Sequence, residues 1–598
     1  MLSFVLAFLV FCPFTLCAVY ESYDSLPKKD FHYIIVGGGT AGNVLANRLT
    51  EDLNTSVLVL EAGKSTTDVL LSQVPFFSSR VRGTSLDWNF TTTKQAGLNQ
   101  RSIAYPRGFG LGGSSAINAM FYTRGSSQDY DRYARISGDP GWGWDALQPY
   151  IRKNEHFVAP ADHHNTTGQF NPAVHGLNGV NSVSLPEYPR TTDEHVIQAT
   201  MDLAVEFPFN LDYNSGHQLG IGWAPITVGN GTRSSSQTSY LGPEYIRRPN
   251  LHVLTDARVT RILDIKRNNQ SPSFDAVEFT QDTGATKHIL KPLKEIILSA
   301  GSIGTPHILL HSGIGDRTEL ATVGIESTLH LPDVGKNLSD HVLWDIPFKV
   351  NDTNTIDNIY YKNTTFQAEA LAQWQANRTG FLTAGAANQL GFLRIPGTAN
   401  VLNGEPSAGN ETAHYELAFN GLVQGSPEAG NYFDVIPAVL CPLSRTYLVY
   451  ALTNINNHVN IGGNVTVNSS NPLDPPLIDP NYFSHPQDLA VMKYAIESVK
   501  RFVNSTVWDG YILEIATNTT EDDIRSRASS VYHAVGTASM SPVGADWGVV
   551  DPDLRLKHAT GVRIVDASVL PFVPAGHTQA PVYAFAERAA DLIKASWV

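Results

Sequence analysis

One stretch leaves this chain few ways to fold: FHYIIVGGGTAGNVLANRLTE, beginning at Phe31. Tyr33-Ile34-Ile35-Val36 is a short apolar run suited to a buried parallel strand. Gly37, Gly39 and Gly42 follow it as G-x-G-x-x-G. From Ala41 to Leu49 the spacing predicts a helix with Val44, Leu45 and Leu49 on one side. Val57-Leu58-Val59-Leu60 is a second strand, and Glu61 closes it. Strand, glycine turn, helix, strand and acid together make a βαβ unit of the dinucleotide-binding kind. Gly37 permits the tight turn, Gly39 lets backbone approach a pyrophosphate, and Gly42 lets the helix pack on the strand. The helix N-terminus turns free N–H groups and a positive dipole end toward phosphate. Glu61 can accept hydrogen bonds from a ribose. The fold class is α/β and Rossmann-like, and the unit alone does not separate FAD from NAD.

At 598 residues the chain exceeds one compact core, so two large domains, or one with heavy insertions, are expected. A formal charge of -14 argues against a nucleic-acid partner, whose phosphates need a basic face. The opening residues MLSFVLAFLVFCPFTLCA read as a secretory signal, 1–18, cleaved near Ala18. The stretch is short for a membrane span and Pro13 interrupts it, so no span is expected in the mature form. Asn-x-Ser/Thr sequons fit a secreted, N-glycosylated protein; they begin at Asn54, Asn89, Asn165, Asn230, Asn269 and Asn351. Others follow, among them those at Asn363, Asn377, Asn410, Asn464, Asn504 and Asn518. Removing the leader with Cys12 and Cys17 leaves Cys441 alone, which rules out an intrachain disulfide.

A second glycine loop lies in YPRGFGLGGSSAINAMFYTRG, from Tyr105 to Gly125. Gly112-Gly113-Ser114-Ser115 reads as a loop entering a helix, with backbone donors and two hydroxyls offered to an anionic or polar partner. It nearly fits the serine-hydrolase elbow but fails at the last glycine. Late in the chain, Ser529–Pro542 reads SSVYHAVGTASMSP, and PAGHTQAP spans 574–581. Val562 to Ala567 reads as a strand ending in Asp566, and Val582 to Lys594 as a closing helix. His533 and His577 therefore sit in loops flanking a strand, His577 just before a helix start. A single histidine is more often an ordinary surface or core residue than a catalyst. No metal-ligand spacing occurs, and no metal is expected.

GSIGTPHILLHSGIG (301–315) follows the strand-like Ile296–Ala300, and VGKNLSDH occupies 334–341. With these motifs the chain resembles the glucose-methanol-choline (GMC) flavoprotein oxidoreductases, from about Tyr33 to the C-terminus. Among members it looks most like fungal aryl-alcohol oxidases and the patulin-synthase type of dehydrogenase. The resemblance implies FAD, with Thr40 and Ala41 at the pyrophosphate, Glu61 and Ala62 near the adenosine ribose, and the Val259 backbone at adenine. It also places Gly113, Ser114, Asn118, Ala119, Met120 and Phe121 at the cofactor, Asn118 and Ala119 beside the flavin ring. Asp566 and Ala567 would meet the ribityl or pyrophosphate region, and Thr578 and Gln579 the isoalloxazine. Some relatives attach FAD through a histidine just before the Asn118 position; Ile117 stands here, so noncovalent FAD is expected. The implied architecture is a discontinuous FAD domain with an α+β substrate domain built on an antiparallel sheet. Residues 30–345 would carry most of the FAD domain, 346–455 a substrate-domain segment and 456–592 the C-terminal region with the histidine pair, this last including the strand-like run from His458, HVNIGGNVTVNSS.

The resemblance makes His533 and His577 the catalytic pair. Hydride removal from a carbinol carbon requires the hydroxyl proton to leave as well, which suits an imidazole base. His533 is expected to be that base and His577 to hydrogen-bond the same oxygen, with the carbinol carbon facing flavin N5. A small alcohol is the expected substrate, and O2 or a quinone the electron acceptor. An aryl or otherwise activated primary alcohol ranks first, a secondary-metabolite alcohol or lactol second, a sugar third. Tyr532 beside His533 suits a flat substrate, whereas Ala119 stands where aryl-alcohol oxidases carry an aromatic. A flavin-containing hydroxynitrile lyase, a light-driven decarboxylase and a non-catalytic flavin protein are the rival functions.

Overall fold

The computed structural model describes residues 18–265, 272–420, 431–443 and 462–597. The leader before Ala18, the sequon at Asn269, the start of the run from His458 and parts of the 346–455 segment lie outside them. Of that run, Asn464–Thr466 is a strand, paired with Leu477–Asp479.

The expected βαβ unit is present. Phe31–Val36 pairs in parallel with Val57–Leu60, and the helix between them runs Thr40–Leu49. Every residue of Val57–Leu60 is buried, as a strand covered on both faces requires. Six parallel strands form this sheet, in the order Val19–Tyr20, Leu251–Leu254, Val57–Leu60, Phe31–Val36, Pro292–Leu298, Val562–Ile564. Sequence-distant segments thus assemble one Rossmann-like core. The helix Gln579–Ala595 packs on Thr40–Leu49. Between them Arg48 donates to both oxygens of Glu587, at 2.8 Å each, with Glu587 fully buried. Tyr240 donates to Glu587 at 2.7 Å.

A second, antiparallel sheet orders Ile512–Ile515, Ile346–Val350, Tyr432–Val439, Tyr415–Asn420, Gln389–Leu393 and Gly220–Trp223. Short strands Val342–Leu343 and Ser529–Ser530 extend it. The long helix Pro486–Val503 covers one face, burying Met492, Ile496 and Val499 against Leu417 and Val435. Its amphipathic spacing explains the docking: these apolar positions recur at helical period on one side. The other face looks toward the glycine loops of the first sheet. One expectation is corrected here. Gly112–Ser115 enters no α-helix; Gly113–Ala116 is one 3-10 turn that ends at Ile117.

Candidate active site

A cavity of about 440 Å³ lies between the two sheets. At one end it is walled by Gly37, Gly39, Thr40, Ala41, Glu61, Ala62 and Val259. Gly113, Ser114, Asn118, Ala119, Met120 and Phe121 line its middle. Asp566, Ala567, Thr578 and Gln579 join them from the C-terminal segment, together with His533 and His577. Gly42 is the one residue of the expected set that does not reach the cavity. A Cβ there would lie 2.0 Å from the Gly37 carbonyl oxygen, so this glycine serves the turn behind the site.

The cavity suits a dinucleotide on several counts. The N-cap of Thr40–Leu49 is Gly39, which has no side chain to cap the helix, so first-turn N–H groups stay available beside the cavity. A Cβ on Gly39 would meet only Gly113 Cα, at 3.7 Å, so the two glycine loops close on each other without side chains between them. Ser299 lines the cavity, and its Oγ is buried with no partner among the described residues. Glu61 Oε2 accepts from Gly38 N at 2.8 Å and Oε1 from Gly63 N at 2.9 Å. It therefore braces the turn, and each oxygen keeps a further lone pair for a ribose hydroxyl. Burial raises its pKa, and these backbone donors oppose the rise. Asp566 is placed similarly: Oδ2 accepts from Gly301 N at 2.9 Å and Thr305 Oγ1 at 2.6 Å, and Oδ1 from Ser568 N at 2.8 Å. Asn118 is held by Arg233, which donates to its carbonyl oxygen at 2.7 Å and to its Oδ1 at 2.8 Å. Asn118 also donates to Gln579 Oε1, linking the middle loop to the last helix. Burial lowers the Arg233 pKa to about 9.

The imidazole rings of His533 and His577 stand 4.9 Å apart between centroids. Each is held by partners that sequence reading had not singled out. His533 N–H donates to Asp340 Oδ1 at 2.6 Å. Asp340 also receives Tyr105 at 2.7 Å, Ser530 at 2.6 Å, Tyr482 at 2.5 Å and the His341 N–H at 2.8 Å. His533 Nδ1 meets His341 Nδ1 at 3.0 Å, and His341 Nε2 meets the Leu440 carbonyl at 3.2 Å. A carbonyl only accepts, so an uncharged His341 carries its proton on Nε2 and offers an Nδ1 lone pair. An uncharged His533 must then donate from Nδ1, which leaves its Nε2 lone pair as an acceptor.

His577 shows the opposite polarity. Its N–H donates to Thr123 Oγ1 at 2.8 Å, and its Nδ1 lies 3.1 Å from that same hydroxyl. The hydroxyl hydrogen can serve Nδ1, which makes Nε2–H of His577 a donor. Burial, then the charges of His577, His341 and Arg107, hold the His533 pKa well below the usual imidazole value. Burial alone lowers His577 to about 3. Both rings are therefore neutral at pH 7. Tyr532, just before His533, has a left-handed backbone (φ 67°), a costly conformation of the kind found at functional sites. Arg107 donates to its carbonyl at 2.9 Å and Arg82 stacks over its ring.

Glu416 is the other group that sequence reading missed. It is buried, lines the cavity, and its Oε1 lies 3.6 Å from His577 Nε2. No local signal marks the role of Glu416, His341, Thr123 or Arg233, although Thr123 falls within the quoted stretch from Tyr105 to Gly125 and His341 within VGKNLSDH.

A Rossmann-like core whose glycine turn opens on a cavity ending at two neutral histidines defines a dinucleotide-dependent oxidoreductase. The sequence profile described as GMC oxidoreductase matches residues 31–343 and 461–586, and the chain belongs to that family. Dehydrogenase eriK of Hericium erinaceus is 40% identical over 97% of this chain and 96% of its own. A pyranose dehydrogenase of Agaricus xanthodermus is 38% identical over 97% and 95%. The solved structure of an Aspergillus oryzae formate oxidase, studied for FAD modification, superposes with a TM-score of 0.84 at 25% identity, covering 95% of this chain and 99% of that one. The enzyme is an FAD-dependent oxidoreductase acting on CH–OH groups.

Proposed function

We propose that this enzyme oxidises a primary alcohol, aryl or otherwise activated, to the aldehyde, with His533 as the base. One observation carries the reading: two neutral imidazoles of opposite polarity face one cavity. An alcohol hydroxyl has one hydrogen to give and lone pairs to receive. His533 Nε2 accepts that hydrogen while His577 Nε2–H donates to the same oxygen, which fixes the carbinol carbon in one orientation. When bound, FAD supplies the hydride acceptor. As the carbon loses hydride, the hydroxyl proton passes to His533 Nε2. The positive charge that forms on His533 is shared with His341 through the Nδ1–Nδ1 contact. Asp340 holds the His533 backbone still throughout.

The names of the relatives, Dehydrogenase eriK and pyranose dehydrogenase, support a dehydrogenase over an oxidase that uses O2. The pyranose dehydrogenases among them favour a second reading of the substrate, a sugar. We propose that FAD is held noncovalently, because Ile117 lines the cavity where an attaching histidine would be needed. Secretion is proposed on the signal-like leader and on the exposure of Asn54, Asn165, Asn363, Asn410 and Asn518.

The test is anaerobic mixing of purified holoenzyme with a panel of alcohols. Bleaching of the flavin with release of an aldehyde is the expected result. Substrate turnover without bleaching would instead identify a lyase and remove the reading. Acid precipitation should release the flavin into the supernatant; yellow protein in the pellet would overturn noncovalent attachment.

A further inference from the structure

The antiparallel sheet turns Leu343, Ala418, Ile436 and Ala438 into the cavity, and among these aliphatic side chains one ionisable group, Glu416. Its cross-strand neighbours are Ala438 on one side and Phe392 on the other, neither of which can hydrogen-bond a carboxyl. Glu416 is 3% exposed, and its Oε2 has no partner among the described residues. Its Oε1 lies 3.6 Å from His577 Nε2, the donor assigned to the reacting oxygen. A buried polar atom left unpaired is costly, and native proteins retain few of them without a use.

We propose that Glu416 is a specificity-determining residue that binds a second hydroxyl of the substrate, next to the one being oxidised, so that the preferred substrate is a vicinal diol or polyol. This rests on the reading that His533 and His577 hold the reacting hydroxyl. Vicinal hydroxyl oxygens lie about one hydrogen-bond length apart, so adjacent oxygens can reach His577 and Glu416 together. Burial raises the Glu416 pKa to about 8, so near neutrality the group is a carboxylic acid that both donates and accepts. A hydroxyl offers the matching pair. An alcohol with one oxygen leaves Oε2 unsatisfied inside an aliphatic wall, and sites of that kind discriminate strongly against the analogue that lacks the partner.

The experiment uses holoenzyme and two matched pairs: 1-phenylethane-1,2-diol with 2-phenylethanol, and propane-1,2-diol with propan-1-ol. Each pair differs by one hydroxyl, and flavin reduction is followed anaerobically. The wild type should favour the diols by about 100-fold in kcat/KM. Glu416→Leu should bring that ratio toward one, and Glu416→Gln, whose amide also donates and accepts, should keep most of it. A wild-type ratio near one overturns the proposal even if Glu416→Leu does not fold. So does an unchanged ratio in a folded Glu416→Leu enzyme, which would leave Glu416 a structural role. In both cases the alcohol-oxidising histidine pair stands. If no member of either pair reduces the bound flavin, that underlying reading falls and takes this one with it.

Discussion

His341 and His533 meet through their Nδ1 atoms at 3.0 Å, an arrangement in which one ring must give a proton and the other a lone pair. The Leu440 carbonyl decides which, because it can only accept from His341 Nε2. The tautomer of the proposed base is thus set by a main-chain oxygen two contacts away.

His533→Ala should therefore lower turnover by about 10²–10⁴-fold with FAD still bound. His341→Ala should cost part of that factor, on the order of 10-fold. His341→Gln should restore most of it, since the amide can donate to Leu440 and accept from His533. Rapid-reaction flavin reduction measures all three; flavin reduction at the wild-type rate in His533→Ala would remove His533 from the mechanism.

Both rings have lowered pKa values, His577 to about 3. The neutral, proton-accepting form then persists as pH falls below the ordinary value of about 6.5. The acid limb of kcat/KM should lie below pH 6. The same shift has a stability consequence. Below about pH 6.5 the unfolded chain binds protons that the folded chain refuses, so stability should decline as pH falls through the imidazole range. Urea midpoints of the holoenzyme at pH 7 and pH 5 provide the check.

Gly42→Ala should impair cofactor retention without touching the cavity. The added methyl would lie 2.0 Å from the Gly37 carbonyl and push the turn away from its helix. A destabilisation of about 1–3 kcal/mol is expected from such overpacking. Thermal melting and the flavin-to-protein absorbance ratio report it, and a fully flavinated, equally stable variant would contradict the packing role.

Glu587→Ala should destabilise the enzyme by about 3–5 kcal/mol, because it strips the buried Arg48 of two carboxylate bonds, leaving it the exposed Glu51 at 3.1 Å, and removes the acceptor of Tyr240. Urea denaturation measures the loss. A change under 1 kcal/mol would mean that water reaches the guanidinium and that the pair does not hold the termini of the FAD domain together.

The βαβ unit and its glycine turn could be read from residues 31–61, because short apolar runs, helical period and turn glycines are local properties of sequence. His533 and His577 were legible for another reason: each sits in a distinctive motif, and the structure brings the two rings to one cavity. The tertiary structure alone decided what surrounds them. His341 is 192 residues from His533, Thr123 is 454 from His577, and Glu416 reaches that site on a strand of the other sheet. A lone histidine or glutamate carries no local signal of whom it will meet, since burial and hydrogen bonding at such distances are settled when two sheets pack. For the same reason Glu61 and Asp566 turned out to brace the chain's own turns as well as face the cofactor cavity.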